Sequence, residues 1–106
     1  MTKTLSTHPG EILKDEIAAR GISAHRLALE IGVPATRIGE IVNKRRAVTP
    51  ETALRLAAYF GGSPKVWLGL QADYDLSQAE RKHGPEIRRT VHPPRAAAVA
   101  ADRGHR

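Results

Sequence analysis

With 106 residues the chain is long enough for one small domain and too short for two, and a core of that size leaves room for dimerisation to add stability. Hydrophobic residues make up 41% but aromatics only 4%, so Leu, Ile and Ala must do the packing, which favours helices over sheets. A formal charge of +6 suits a polyanionic partner, while the absence of cysteine excludes a disulfide framework and a thiolate metal site.

Thr7-His8-Pro9-Gly10-Glu11 announces a first helix. Pro9 suits its first turn, where a missing N–H costs nothing. Ile12, Leu13, Ile17 and Ala18 then form one apolar stripe, and Gly21 supplies a left-handed end. Ser23 caps a second helix whose apolar face is Leu27, Ala28 and Ile31, closed by Gly32. Val33-Pro34 starts a third helix, Pro34–Asn43, with Ile38, Ile41 and Val42 inside. Thr49-Pro50-Glu51 gives a cap, a proline at the first helical position and an acid on the positive end of the helix dipole. The fourth helix carries Ala53, Leu54, Leu56, Ala57 and Phe60 and stops at Gly61-Gly62. Ser63-Pro64 repeats the start signal for a fifth, with Val66, Trp67, Leu70 and Tyr74 apolar.

After Ser77 the character changes. Over residues 81–106, Arg81, Lys82, Arg88, Arg89, Arg95, Arg103 and Arg106 face only Glu86 and Asp102, so most of the net charge lies there. His92-Pro93-Pro94 and the alanine run Ala96–Ala101 read as a poorly ordered extension. Glu86–Val91 is partly β-branched and is expected to form a strand only if something pairs with it. The expectation is an all-α chain: an N-terminal arm at 1–7, a five-helix domain at 8–76 and a basic, poorly ordered C-terminal tail at 77–106. The N-terminus lacks the apolar run of a signal peptide, and no segment approaches the ~20 apolar residues of a membrane span. A cytoplasmic protein without a membrane partner is expected.

The segment Ala24–Asn43 fits a helix-turn-helix. That motif needs two helices crossing steeply at a tight turn. Ala28 is the small residue where the second helix passes close, and Gly32 is the turn residue that tolerates positive φ. Val33 plugs the gap after the turn, and Ile38 and Ile41 face inward. An ordinary helical hairpin with a glycine turn is the plain alternative, but most hairpins lack this spacing. The outward face of the third helix then carries Ala35, Thr36, Arg37, Glu40 and Asn43 as candidate base readers. Arg grips guanine through two bonds, Asn pairs with adenine, Glu accepts from cytosine, and Thr or Ala touches the thymine methyl. A solvated helix face is the alternative for each, and Asn43 reads equally as the helix cap. Gly39 would let the backbone approach DNA closely. Lys44, Arg45 and Arg46 follow as candidate phosphate contacts, joined by Ser23 and Arg26 at the start of the second helix.

On these residues the chain resembles the antitoxin branch of the lambda-repressor-like helix-turn-helix family, the HigA (VapI) type of addiction-module antidote. HPGEILKDEI, the helix-turn-helix itself and NKRRAVTPETALRLAAYFGGSPKVWLGLQADYDL carry the resemblance, from His8 to about Leu76. Members of that family often have glycine where this chain has Lys44, so Asn43 is expected to take the left-handed position. The resemblance implies a dimer that represses its own operon at a palindromic double-stranded DNA operator and silences a small ribonuclease toxin of the HigB type. Trp67, Leu70 and Tyr74 carry more apolar surface than one small core requires and are expected at a homodimer interface. Glu11, Asp15 and Glu16 place acidic charge on the first helix of a basic protein and are expected to steer the basic toxin; solvating that helix is the alternative.

The competing classes are weaker. Five histidines (His8, His25, His83, His92 and His105) are scattered without metal-ligand spacing, and no phosphate loop or nucleophile motif is present. No enzymatic activity, cofactor or metal is expected. A repressor without a toxin partner is the runner-up, and an interaction module that has lost DNA binding is third.

Overall fold

Four of the five helices begin on a side chain that accepts a backbone N–H. The Ser23 hydroxyl accepts from Arg26 at 3.0 Å, Thr49 from Thr52 at 3.3 Å and Ser63 from Lys65 at 3.1 Å. His8 does the same work for the first helix, its Nδ1 accepting from Gly10 at 2.8 Å. The computed structural model describes residues 6–94, and among these the regular structure is entirely helical: α1 Pro9–Arg20, α2 Ala24–Ile31, α3 Arg37–Val42, α4 Pro50–Phe60 and α5 Pro64–Thr90.

The core joins all five helices. Leu13 and Ile17 of α1, Leu27, Ala28 and Ile31 of α2, Ile38 and Ile41 of α3, Ala53 and Leu56 of α4 and Trp67 of α5 cluster around Val48. These are the inward positions read from helical spacing. α3 packs against both α1 and α2, and α5 packs chiefly against α4.

Two boundaries differ from the sequence reading. α3 begins at Arg37, not Pro34, because Pro34–Arg37 forms a separate turn closed by the Arg37 N–H on the Pro34 carbonyl at 2.9 Å. The fifth helix does not end near Leu76. It continues to Thr90 with Val91 as its cap, so Glu86–Val91 closes a helix and is not a strand. Beyond Ser77 the helix has almost no core to face, and the apolar period that marks a buried helix is absent there. Glu80–Arg88 and Glu86–Arg89 ion pairs run along it instead, at 2.8 Å each. At 1.5 Å per residue a 27-residue helix is about 40 Å long, which accounts for the 54 × 26 × 24 Å shape. His92-Pro93-Pro94 is exposed and not helical. The alanine run, Arg95, Arg103, His105 and Arg106 lie outside the described residues, as does most of the N-terminal arm. No helix among the described residues is long and apolar enough to cross a membrane.

Candidate nucleic-acid interface

Gly32 sets the angle between α2 and α3. Its φ is 78°, and its N–H and that of Val33 both bond to the Ala28 carbonyl at 3.0 Å. Arg55 of α4 reaches across to the same corner, donating to the Ile31 carbonyl at 2.8 Å while it pairs with Glu51 at 3.0 Å. A Cβ on Gly32 would come within 3.0 Å of that guanidinium. Sequence reasoning found Gly32 but missed Arg55, whose part depends on α4 lying over α2.

With Ile38 and Ile41 fully buried, the opposite side of α3 faces solvent. Ala35, Thr36 and Asn43 are exposed, and Arg37 and Glu40 are half-buried. The Thr36 hydroxyl makes no capping bond, and Arg37 has no ion pair among the described residues. Nothing lies within 4 Å of the place a Cβ would occupy on Gly39, which leaves that face open to close approach. Glu40 differs from the others. Its carboxylate accepts from Arg46 Nε at 2.6 Å, so it holds the following loop as well as facing outward.

The expected phosphate contacts are divided in the same way. Ser23 spends its hydroxyl on the α2 cap, and Arg26 is paired with Glu30 at 2.7 Å, which raises the guanidinium pKa. Lys44 is paired with Glu11 at 2.6 Å and Arg46 with Glu40. Arg45 is exposed and has no ion pair among the described residues. The left-handed residue after α3 is Lys44, with φ 64°, whereas Asn43 has φ −88°. The expectation for Asn43 is therefore corrected: the Arg45 N–H must reach the Glu40 carbonyl, and a left-handed turn at Lys44 allows it. The far end of the loop is fixed by Gln71, buried on α5, whose Oε1 accepts the Val48 N–H at 2.8 Å and whose Nε2 donates to Asp75 at 3.0 Å. Gln71 was not singled out from sequence, since a lone glutamine on a helix carries no signal until its partner is known.

These features coincide with a family match: residues 13–67 fit the helix-turn-helix family. The chain belongs to that family, of the XRE type. Its relatives include Virulence-associated protein I of Dichelobacter nodosus, 51% identical over 75 residues, 70% of this chain and 69% of that protein. An addiction module antidote protein of the HigA family from Coxiella burnetii superposes with a TM-score of 0.80 at 42% identity, covering 85% of this chain and 99% of the other. Antitoxin HigA of Pseudomonas aeruginosa, solved with the higBA promoter, superposes with a TM-score of 0.80 at 36% identity, covering 83% and 97%. Members of this helix-turn-helix family are regulators rather than enzymes.

In this helix-turn-helix protein the residues expected at other surfaces are placed as follows. Trp67 is only 6% exposed and packs the protomer's own core, tilted against Phe60 at 6.3 Å between ring centres. Leu70 is half-buried at the edge of that core, and Tyr74 meets His8 edge-on at 4.7 Å. Of the three, Trp67 is buried, while Leu70 and Tyr74 each keep part of their surface exposed. On α1, Glu11 pairs with Lys44 and Glu16 with Arg20, so Asp15 is the one of the three acids without an ion pair among the described residues, and both Glu11 and Asp15 are exposed. Lys44 beside it holds the Glu11 carboxyl below its usual pKa.

The His8 cap makes the N-terminus of α1 sensitive to pH. Burial, then the nearby Lys44 charge, pushes the His8 pKa below its usual 6.5, against smaller opposing effects from Asp75 and Glu11. Neutral Nδ1 accepts the Gly10 N–H; protonated, it would present a donor to a donor. A depressed folded-state pKa means this stabilisation is complete above about pH 6.5 and is lost as pH falls through the folded value. The midpoint of thermal unfolding is expected to drop between pH 7.5 and 5. His8→Asn, which caps without titrating, should flatten that part of the profile. An unchanged slope in the variant would exclude His8 as its source.

Proposed function

We propose that this protein is a sequence-specific DNA-binding antitoxin, repressing its own operon as a homodimer and neutralising a small ribonuclease toxin of the HigB type by direct binding. The exposed α3 face carries the DNA part: Thr36, Arg37 and Asn43 stand outward while Ile38 and Ile41 anchor the helix. The similarity to Pseudomonas aeruginosa HigA, solved with the higBA promoter, supports DNA binding by this chain. A two-fold dimer would set two such helices about 34 Å apart on an inverted repeat. Along α5, Leu76 and Ile87 are 69% and 51% exposed on the half that projects from the core, and this face supports a subunit contact better than Trp67 does. Sedimentation showing only monomer at micromolar concentration, bound singly to isolated half-sites, would contradict the dimer.

Arg37→Ala is expected to cost roughly 1–3 kcal/mol at one base position and to relax the choice of base there. The check is titration onto the operator and onto operators changed at each position. Unchanged preference across that set would remove Arg37 as a reader.

The toxin part rests on the family and on the acidic positions of α1. Asp15 and Glu16 lie on a helix that does not read bases, so a basic toxin bound there would leave α3 free. The protein and the product of the adjacent gene should co-purify, and association should weaken with salt less steeply after Asp15→Asn and Glu16→Gln. Failure to bind any neighbouring gene product would leave a plain repressor.

A further inference from the structure

The end of α3 is closed like the end of α1, with one residue out of keeping. After α1, Gly21 takes φ 67°, its N–H bonds to the Ala18 carbonyl and the Ile22 N–H to that of Ile17. After α3, Lys44 takes φ 64°, its N–H bonds to the Ile41 carbonyl at 2.9 Å and the Arg45 N–H to that of Glu40 at 2.8 Å. Glycine adopts this backbone freely, whereas a Cβ crowds it. Among the described residues Lys44 is the only non-glycine with positive φ. Its ammonium lies 2.6 Å from the Glu11 carboxylate. Glu11 stands in the first turn of α1, where Gly10 packs directly on the Ile41 carbonyl. The backbone that carries Glu11 is therefore fixed relative to α3, and its carboxylate engages the one described non-glycine residue whose own preference opposes the observed turn.

We propose that Glu11 is a positioning residue for DNA binding: its ion pair with Lys44 straps the left-handed turn after α3 and presets Arg45 and Arg46 against the phosphate backbone. This rests on the DNA-binding reading above. An exposed ion pair contributes little by itself and is screened by salt. Its leverage here is on which conformation the loop occupies. Arg46 is already held by Glu40 and the Val48 N–H by Gln71, so Lys44, ahead of both anchors, is the weak point of the loop. Apparent affinity falls in proportion to the fraction of protein in the competent conformation. Charge alone gives the opposite sign: removing a carboxylate beside DNA should strengthen binding, and removing a lysine should weaken it.

The test uses the full chain as wild type, Glu11→Gln, Lys44→Gly and the double variant. Each is titrated onto the duplex that the wild type selects from a random-sequence pool, and onto a scrambled duplex. Melting temperatures and backbone 15N order parameters of the loop are recorded without DNA. Glu11→Gln is expected to weaken binding to the selected duplex about three- to tenfold, with lower order at 44–46 and a nearly unchanged melting temperature. Lys44→Gly, whose glycine needs no strap, gives the reference affinity for the double variant, whatever the loss of its charge costs by itself. In that background Glu11→Gln should have no effect or tighten binding. Equal or tighter binding by Glu11→Gln alone overturns the proposal, as does the same loss in both backgrounds. Unchanged loop order in Glu11→Gln overturns the strap whatever the DNA result. A wild type that selects no duplex overturns the DNA reading and the positioning role with it.

Discussion

Gly10→Ala is expected to lower the melting temperature by roughly 10–20 °C and to abolish operator binding together with it. A Cβ at this position would fall well inside contact with the Ile41 carbonyl oxygen, 2.9 Å from its carbon and 3.0 Å from His8 Nδ1. The obstruction is backbone, so no rotamer change relieves it. Helix α1 must lift from α3, or the end of α3 must move. Overpacking of this kind costs about 1–3 kcal/mol, occasionally more, and the upper end applies because both neighbours are fixed. Ile41 anchors the inner face of α3 and His8 caps α1, so one methyl group disturbs the cap, the helix contact and the DNA loop together. Circular dichroism melting and retention of operator DNA on a gel check the two halves. A melting point within two degrees of wild type, on the order of a few tenths of a kcal/mol, would show that α1 yields easily and that Gly10 is not a fixed contact.

Trp67→Ala is expected to remove about 3–5 kcal/mol of stability, a large part of the 5–15 kcal/mol typical of a small domain. Trp67 is the largest side chain in the core and fills the space between α4 and α5 beside Phe60. Denaturant unfolding should show the loss directly, and DNA binding and association should fail together as the protomer unfolds. Full folding stability with selective loss of the dimer would show instead that the indole works between subunits.

Much of this was legible locally. The caps at Ser23, Thr49 and Ser63 and the glycine ends at Gly21 and Gly32 are each decided by a residue and its near neighbours, and each was read from the sequence. The inner face of α3 followed from the spacing of Ile38 and Ile41. His8 was not recognised as a cap because histidine is not among the residues that usually cap a helix. The continuation of α5 past Ser77 escaped for a different reason. Helix detection by apolar period sees only helices with a buried face, and this half of α5 has little to bury against.

The sequence by itself determined an all-α chain, the helix-turn-helix at Ala24–Asn43 and the outward set on α3, because these depend on periodicity and on turn chemistry within a few residues. Tertiary structure alone decided how the basic cluster is used. Lys44, Arg45 and Arg46 are adjacent and alike in charge, yet one is held by Glu11 from α1, one by Glu40 from α3, and Arg45 has no ion pair among the described residues. It also decided that Trp67 packs inward and that Gln71 ties down Val48. Each of these depends on a partner far along the chain. An ion pair or a buried hydrogen bond forms only where folding brings two groups within about 3 Å, and no local pattern carries that distance.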